Sequence, residues 1–289
     1  MATIRRDSGQ LLPRGLRVPM TVVLCVFALA PIAYMVIMSL APDVEVASGR
    51  LFPQHFAFGN YVHLWTTVPL ARGLVNSLAT SLGAAALSTV VAVGAAYCLT
   101  RFTFIGRRTF LRGMLGLQTI PSALILLPLF VTFASAKAYL NLTIVGTRSG
   151  LLITYLTFAL PFAIWLMVTY LRSIPEVLEE AALVDGLTRV GALWRVILPL
   201  SLPGIVVSTI FSFLLGWNDV LFASILTRPD TRTAAIDLQV FAQAQEGGPL
   251  PLYGQLLGAS VICAVPVVLL YMFFQRYLVG GLASGGVKG

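Results

Sequence analysis

Six apolar stretches, each about as long as a membrane-spanning helix, constrain this 289-residue chain more than any other feature of its sequence. A spanning α-helix needs roughly 20 consecutive, mainly apolar residues. We predict spans at 18–40, 73–100, 113–136, 149–171, 200–222 and 253–275. Because lipid offers the backbone no hydrogen-bond partner, these segments have to be helical. We therefore expect an all-α membrane protein with a single domain over residues 1–289.

Basic residues are distributed unequally between the connections on the two sides of these spans. Of the 19 Lys and Arg residues, 13 lie in the two terminal segments, in the connection between spans two and three, and in the connection between spans four and five. The other six lie in the remaining connections. Connections rich in Lys and Arg face the cytoplasm. We therefore expect both termini to be cytoplasmic, and the net charge of +8 requires no nucleic-acid partner.

Apart from Asp219, at the outer end of the fifth span, the spans contain no Asp, Glu, Lys, Arg or His, and this absence excludes some functions. Proton-coupled carriers usually hold ionisable groups at membrane depth, and an intramembrane hydrolase needs a base beside its nucleophile. The three cysteines lie in three different spans without metal-like spacing. We therefore expect no catalysis and no bound metal in this chain.

Small and polar residues within the spans suggest a closely packed bundle with a path through it. The second span repeats small residues every four positions, at Ser77, Ser81, Ala85 and Thr89, a spacing that lets helices approach closely. The polar or aromatic candidates for lining a path are Asn76, Gln118, Thr154, Trp165, Asn218 and Gln255. The sequence leaves open which of them face a path and which face a neighbouring helix.

The connection at 172–199 is rich in charge and predicts two short helices. Ser173 and Glu176 form a capping-box pattern, so we predict a first helix of about 12 residues that ends at Gly186. Glycine accommodates the left-handed conformation that often terminates a helix. Thr188 is the expected N-cap of a second helix that runs to Pro199. The composition of the first helix fits a protein-contact surface and a solvated surface equally well.

Residues 180–199 read EAALVDGLTRVGALWRVILP and resemble the EAA motif of ABC-importer permeases. That motif has EAA, three residues, Gly, nine residues, Ile, one residue and LP; here Val196 replaces the isoleucine. Asn76-Ser77, Tyr97 ahead of Arg101, Trp217-Asn218 and the glycine-rich tail at 281–289 are similar to the carbohydrate, maltose-type (MalG-like) class. The resemblance extends from about residue 15 to the end of the chain.

The resemblance implies a type I ABC importer permease fold with a coupling helix on the cytoplasmic side. It implies a second permease subunit, two ATP-binding subunits that hold ATP and Mg, and an extracytoplasmic sugar-binding protein, all at a bacterial inner membrane. ATP hydrolysis would then occur outside this chain. The residues expected to couple to the ATPase are Glu179, Glu180, Ala181, Ala182, Leu183, Asp185, Gly186, Leu198 and Pro199.

The solute is the least constrained part of this interpretation. The uncharged spans fit a sugar or a similar neutral polyhydroxy compound, and the outer loop at 227–252 offers further polar groups. These are Asp230, Asp237, Gln239, Gln243, Gln245 and Glu246. The alternatives are an ABC permease for a non-sugar solute and a secondary transporter that works without an ATPase.

Overall fold

The computed structural model describes residues 14–245 and 251–285 and is helical, without strands, in those ranges. The longer α-helices are α1 (Arg14–Met38), α4 (Leu70–Arg101), α5 (Arg107–Leu117), α6 (Ser122–Leu140), α7 (Arg148–Leu171), α11 (Leu202–Trp217), α13 (Ala234–Gln245) and α14 (Tyr253–Gly285). The shorter ones are α2 (Asp43–Ala47), α3 (Asn60–Thr67), α8 (Val177–Val184), α9 (Arg189–Ala192), α10 (Leu198–Leu200) and α12 (Leu221–Leu226). Arg5, Arg6, Glu246 and the last four residues of the glycine-rich tail lie outside the described residues.

The helices confirm the predicted fold class. In the described ranges, α1, α4, α6, α7 and α14 are each long and apolar enough to cross a membrane. A sixth span results if Arg189–Leu200 and Leu202–Trp217 are counted as one broken helix, bent by 74°. Ser201 lies at the bend, and Pro203 follows it in the first turn of α11. Proline cannot donate the backbone hydrogen bond that would continue the preceding helix, which accounts for the break.

The third apolar segment differs from the continuous helix expected at 113–136. α5 ends at Leu117, and α6 begins at Ser122 directly after Pro121. The conformation before a proline is restricted to extended backbone, so an incoming helix tends to end there. Pro31, Pro128, Pro161 and Pro266 instead lie inside continuous helices. In the fifth segment, expected at 200–222, the spanning helix α11 is shorter and ends at Trp217.

The described chain divides into two compact units, of which the first comprises residues 14–67, 244–245 and 251–261. Asn60 is buried there, and its side-chain amide donates hydrogen bonds to the backbone carbonyls of Ser39 at 3.0 Å and Ala41 at 2.9 Å. Asp43 accepts a hydrogen bond of 2.8 Å from the amide of Gly254. These bonds join the chain that follows α1 to the start of α3 and to the first turn of α14.

The second unit comprises the described residues 68–243 and 262–285 and is built on α4, which packs against α7 and α11. The small residues at positions 77, 81, 85 and 89 of α4 are all buried, as their four-residue spacing predicts. Thr89 of α4 and Thr209 of α11 share a hydrogen bond of 3.1 Å. With 32 residues, α4 is about 48 Å long, so it exceeds the hydrocarbon thickness of a bilayer and extends beyond it.

Candidate coupling helix and pathway residues

The helix α8 that carries the EAA residues is short and sharply ended. It begins at Val177 and spans 8 residues, so the prediction of about 12 residues is wrong. The predicted capping box is also absent: the Ser173 hydroxyl donates to the carbonyl of Tyr170 at 2.7 Å and so closes α7 instead. Because Ser173 is engaged there, α8 starts later, with Glu176 at its N-cap position.

The C-terminal end of α8 confirms the predicted role of Gly186. Its φ of +89° is left-handed, a conformation that only glycine adopts with little strain. Its amide donates to the carbonyl of Leu183 at 3.1 Å, and the chain then reverses. Thr188 caps the next helix as predicted, since its hydroxyl accepts a 3.1 Å hydrogen bond from the amide of Gly191.

The inner face of α8 is fixed to the end of α4 by a buried charge network. The Glu179 carboxylate accepts a hydrogen bond of 2.6 Å from the Tyr97 hydroxyl. Its other oxygen lies 2.9 Å from Nε of Arg101, and both charged side chains are at most 6% exposed. Two oppositely charged groups removed from water stabilise a structure only when they are paired and hydrogen-bonded. This network therefore sets the position of α8 relative to α4.

Arg101 also holds the segment that precedes α8. Its Nη2 donates to the carbonyl of Ile174 at 3.1 Å, and its Nη1 lies 3.4 Å from Glu176. Arg189, at the start of α9, stacks over the ring of Phe102 at 5.3 Å. The segment before α8 therefore contacts Arg101 at the end of α4, and the start of α9 contacts Phe102, the residue that follows α4.

The outer face of α8 is free of such contacts and is largely apolar. Within the part of the chain that the structure describes, Glu180 has no ion-pair partner. Val177 is 68% exposed and Val184 87% exposed, seven residues apart on one face of α8, and Trp194, in the π-helical segment after α9, is 67% exposed. Exposed apolar side chains clustered on one surface, with charged residues around them, are typical of a protein interface. The two faces of this short helix thus differ sharply in chemistry.

The remaining EAA-loop residues are placed by packing. Ala182 is buried, Leu183 and Leu198 are half-buried, and Ala181, Asp185 and Pro199 are exposed. A π-helical turn at Leu193–Ile197 leads into α10, and its Ile197 is fully buried in the core cluster that contains Tyr97 and Ile174. A small open hollow of about 190 Å³ is lined by Arg101, Glu176, Glu179, Glu180, Leu183 and Arg189.

Asn76 is fully buried and holds the loop between α12 and α13 in the second unit. Its Nδ2 donates to the carbonyls of Asp230 and Arg232, at 3.2 and 2.7 Å. The neighbouring Ser77 hydroxyl accepts a 2.9 Å hydrogen bond from the amide of Ala234, which begins α13. The Asn-Ser pair at the start of the second span therefore docks the loop between α12 and α13, which the sequence did not reveal.

Close packing of α13 on α4 depends on a glycine and buries a carboxylate. A Cβ at Gly73 would lie 2.5 Å from Oδ2 of Asp237 and 3.0 Å from the Cα of Ala234. Asp237 is 4% exposed. Burial raises its pKa from the ordinary value of 3.8 to about 6, although Arg232 and Arg72 lower the pKa. Gln239, two residues on, is exposed.

The other proposed pathway residues are divided between buried and exposed sites. Thr154 is fully buried and donates to the carbonyl of Gly150 in its own helix at 2.9 Å. Gln255, in the first unit, is 8% exposed. Trp165 and Asn218 are exposed, and the Trp165 ring lies 5.9 Å from that of Phe162.

Gln118 lies at a cavity created by the break between α5 and α6. This cavity has a volume of about 520 Å³. Its lining is mostly apolar and includes Pro121, Phe158 and Phe162, with polar groups from Gln118 and Thr157. An apolar hollow with a few polar groups is the usual form of a site for a small organic molecule.

Two contacts of charged side chains could not be inferred from the sequence. Tyr97 and Arg101 were noted as a pattern, but nothing in the sequence indicates that they meet Glu179, 82 residues after Tyr97. Asp219 is half-buried and caps α12, because its carboxylate accepts hydrogen bonds from the amides of Phe222 and Ala223 at 3.2 and 2.9 Å. The Tyr155 hydroxyl donates to the same carboxylate at 3.1 Å.

Among the described residues, no three His, Cys, Asp or Glu side chains are grouped as metal ligands.

Comparison with known proteins identifies the family. Residues 88–283 match the family model described as "Binding-protein-dependent transport system inner membrane component". The chain belongs to this family. It is therefore a multi-pass component of an inner-membrane transport system, as the resemblance of the EAA segment predicts.

Relatives in the family are similar over most of the chain. A trehalose transport system permease protein, SugB of Mycobacterium tuberculosis, is 33% identical over 265 residues, covering 91% of this chain and 93% of the relative. The maltose/maltodextrin permease protein MalG of Salmonella typhimurium is 36% identical over 253 residues, covering 87% and 80%. A solved bacterial ABC transporter that imports the acidic polysaccharide alginate has the same fold, with a TM-score of 0.75 and 23% identity, covering 92% of this chain and 98% of that one.

Proposed function

We propose that this chain is a permease subunit of an ATP-driven ABC importer and that α8 is the helix through which an ATP-binding subunit moves it. The observation that carries the proposal is the contrast between the two faces of α8. Its inner face is tied to α4 by the buried Glu179–Arg101 pair, at 2.9 Å. Its outer face presents exposed Val177, Glu180 and Val184. A rigid attachment behind an exposed apolar surface suits the transmission of a pull or push.

The proposed coupling residues have different roles. Glu179 and Ala182 anchor α8 to the bundle, while Glu180 and Ala181 face a partner. Gly186 permits the reversal after α8. Leu183, Asp185, Leu198 and Pro199 complete the loop at 172–199. ATP and Mg are bound by the separate ATP-binding subunits, so this chain is a transporter subunit and not itself an enzyme.

We propose that the solute is a sugar or a similar neutral polyhydroxy compound. Relatives named for trehalose and for maltose/maltodextrin support this assignment. The spans also fit it, since the Lys and Arg residues of α1, α4, α6 and α7 lie within four residues of the helix ends, away from the membrane depth at which an anionic solute would need them. Aromatic faces such as Trp165 can stack on sugar rings, while Gln118 and Asn218 can bond to hydroxyls. The buried positions of Asn76, Thr154 and Gln255 favour packing roles for these three in this conformation.

The proposed complex contains a second, related permease, two ATP-binding subunits and an extracytoplasmic sugar-binding protein. Residues 1–289 act in it as one permease domain, with both termini in the cytoplasm. The outer loop at 227–252, which includes exposed Asp230 and Gln239, is the surface that we propose for the binding protein. A permease for a non-sugar solute differs only in the pathway residues, and a secondary transporter without an ATPase would lack the partners altogether.

The test uses the complex purified from membranes through a tag on this chain. Co-purification of an ATPase and a second permease is expected, with ATP hydrolysis stimulated by the binding protein loaded with a sugar. A panel of sugars, amino acids and organic anions identifies the class of solute. Stimulation only by a charged solute would reject the sugar assignment, and a transport-competent chain without any ATPase would reject the importer itself.

A matched pair of substitutions tests the role of α8. Val184→Asp places a charge on the outer face and should abolish coupled ATP hydrolysis, because the carboxylate would lose hydration at the interface. Val44→Asp is the control, since Val44 is also exposed, at 61%, but lies in α2. Both variants should fold as the parent does. Normal coupling in Val184→Asp would remove α8 from the interface with the ATP-binding subunit.

A further inference from the structure

The connection between α4 and α5 forms a cavity surrounded by arginines. Its volume is about 480 Å³. The residues that line it include Thr103, Phe104, Arg107, Arg108 and Arg172. Arg107 and Arg108 begin α5, and Arg172 follows the end of α7, so three positive charges from two helices meet at one hollow. No part of the proposed coupling helix lines this cavity.

These arginines are not neutralised by the protein. In residues 15–245 and 251–277, none of the three lies within 4.0 Å of a carboxylate. Within the same ranges, the single side-chain hydrogen bond that these arginines make runs from Arg107 to the carbonyl of Phe102, at 3.4 Å. Arg101, only six positions before Arg107, is by contrast paired with two glutamates. A concave surface with uncompensated positive charge attracts an anion.

The rim of the cavity is strongly apolar. Phe104 is 50% exposed, Ile105 is fully exposed, and Phe110 is 47% exposed. They do not face the core, because α5 packs on the core cluster of α7 through Leu111 and Met114. A basic cluster beside exposed aromatic and aliphatic side chains, at the end of spanning helices, has the chemistry of a membrane interface. A free phosphate ion would gain nothing from the apolar rim.

We propose that this cavity binds the headgroup phosphate of an anionic phospholipid, with Arg107, Arg108 and Arg172 around the phosphate and Phe104 and Ile105 against the acyl chains. Guanidinium groups bind phosphate oxygens with two parallel hydrogen bonds, and three of them exceed the charge of one phosphodiester. Basic pockets between spanning helices are suited to such headgroups. The proposal does not depend on the transported solute or on the role of α8.

The test measures binding of a defined lipid to the complex purified with this chain, in nanodiscs of phosphatidylcholine. The probe is a photoactivatable phosphatidylglycerol, titrated against the same probe with a phosphatidylcholine headgroup, and cross-linked peptides are identified by mass spectrometry. Phosphatidylglycerol should label residues 102–111 at low concentration, and phosphatidylcholine should not. This readout requires no transport and no ATP hydrolysis, so it is independent of the proposed function.

Three variants make the test specific. R107Q/R108Q should weaken labelling roughly thirty-fold, and R172Q, on a different helix, about five-fold, if each arginine contributes as basic residues do near an anionic bilayer. R112Q is the matched control, because Arg112 is exposed on α5 but does not line the cavity, and its labelling should equal that of the parent. Size-exclusion chromatography of each complex verifies assembly, and R172Q supplies the test if the double variant does not assemble.

Several results would overturn the proposal. Equal labelling by the two headgroups would indicate ordinary boundary lipid. Unchanged labelling in an assembled R107Q/R108Q or R172Q complex would show that these arginines do not bind the lipid. An equal loss of labelling in R112Q would show that the lipid responds to overall positive charge and not to this cavity. Displacement of the lipid by millimolar glycerol phosphate would show a site for a soluble anion, and protection of 102–111 by the ATP-binding subunits would show a protein interface.

Discussion

Replacing Glu179 with glutamine removes one charge from a buried ion pair while it keeps the size of the side chain. The side chains of Glu179 and Arg101 are only 6% and 5% exposed, so the charge left on Arg101 stays largely removed from water. Removing one member of a buried pair typically costs about 3–5 kcal/mol of unfolding free energy. Arg101 retains the Ile174 carbonyl at 3.1 Å, and glutamine can still accept from Tyr97. We therefore expect Glu179→Gln to destabilise the protein by about 3 kcal/mol, near the lower limit.

The measurement is a denaturant titration of the purified protein in detergent micelles, followed by tryptophan fluorescence. Glu180→Gln is the control, because Glu180 is the exposed neighbour without an ion pair in the described ranges, and its effect should stay within about 0.5 kcal/mol. A double-mutant cycle with Arg101→Gln isolates the pair and should give a coupling energy of about 2 kcal/mol. The cycle is needed because each single substitution also disturbs other contacts of the network.

Substitution of the two adjacent glutamates should have different effects. Glu179→Gln should lower stability, whereas Glu180→Gln should leave stability intact and weaken the proposed coupling to the ATP-binding subunit. An unchanged unfolding midpoint in Glu179→Gln, or a coupling energy near zero in the cycle, would show that the buried pair does not anchor α8. The rigid-attachment argument would then fail, although membership of the family would stand.

Three further predictions follow from backbone strain, from titration and from topology. Gly186→Val should destabilise the protein by about 1–2 kcal/mol through its φ of +89° alone, since a Cβ there meets nothing within 4 Å, and equal stability in a denaturant titration would contradict this. Because the folded-state pKa of Asp237 is raised to about 6, the folded state binds the proton more tightly. Stability should therefore fall as the pH rises from about 4 to about 6, and Asp237→Asn should flatten that slope in melting experiments across pH. In a variant without the native cysteines, an impermeant thiol reagent outside cells should label Gln239→Cys and spare Val184→Cys; the opposite pattern would reverse the orientation.

The helical membrane character of this protein is a property of its sequence alone. Each long apolar segment must satisfy its backbone hydrogen bonds internally, so composition and length determine that it is a helix. The left-handed Gly186 and the cap at Thr188 were also predictable, because both are local arrangements of a few consecutive residues. The EAA pattern was recognisable for the same reason, since its residues are contiguous.

The contacts between distant segments required the tertiary structure. Ser173 closes α7 rather than opening α8; its hydrogen bond to Tyr170 is local, but Leu171 and Ile174 on either side are buried in a core cluster built from several helices. Asn76 had the character of a pathway residue, yet it reaches the carbonyl of Arg232, 156 residues later. Glu179 meets Arg101 only because α4 is long enough to extend to α8. Sequence patterns report chemistry and spacing within one segment, whereas a buried polar side chain finds its partner through the packing of whole helices.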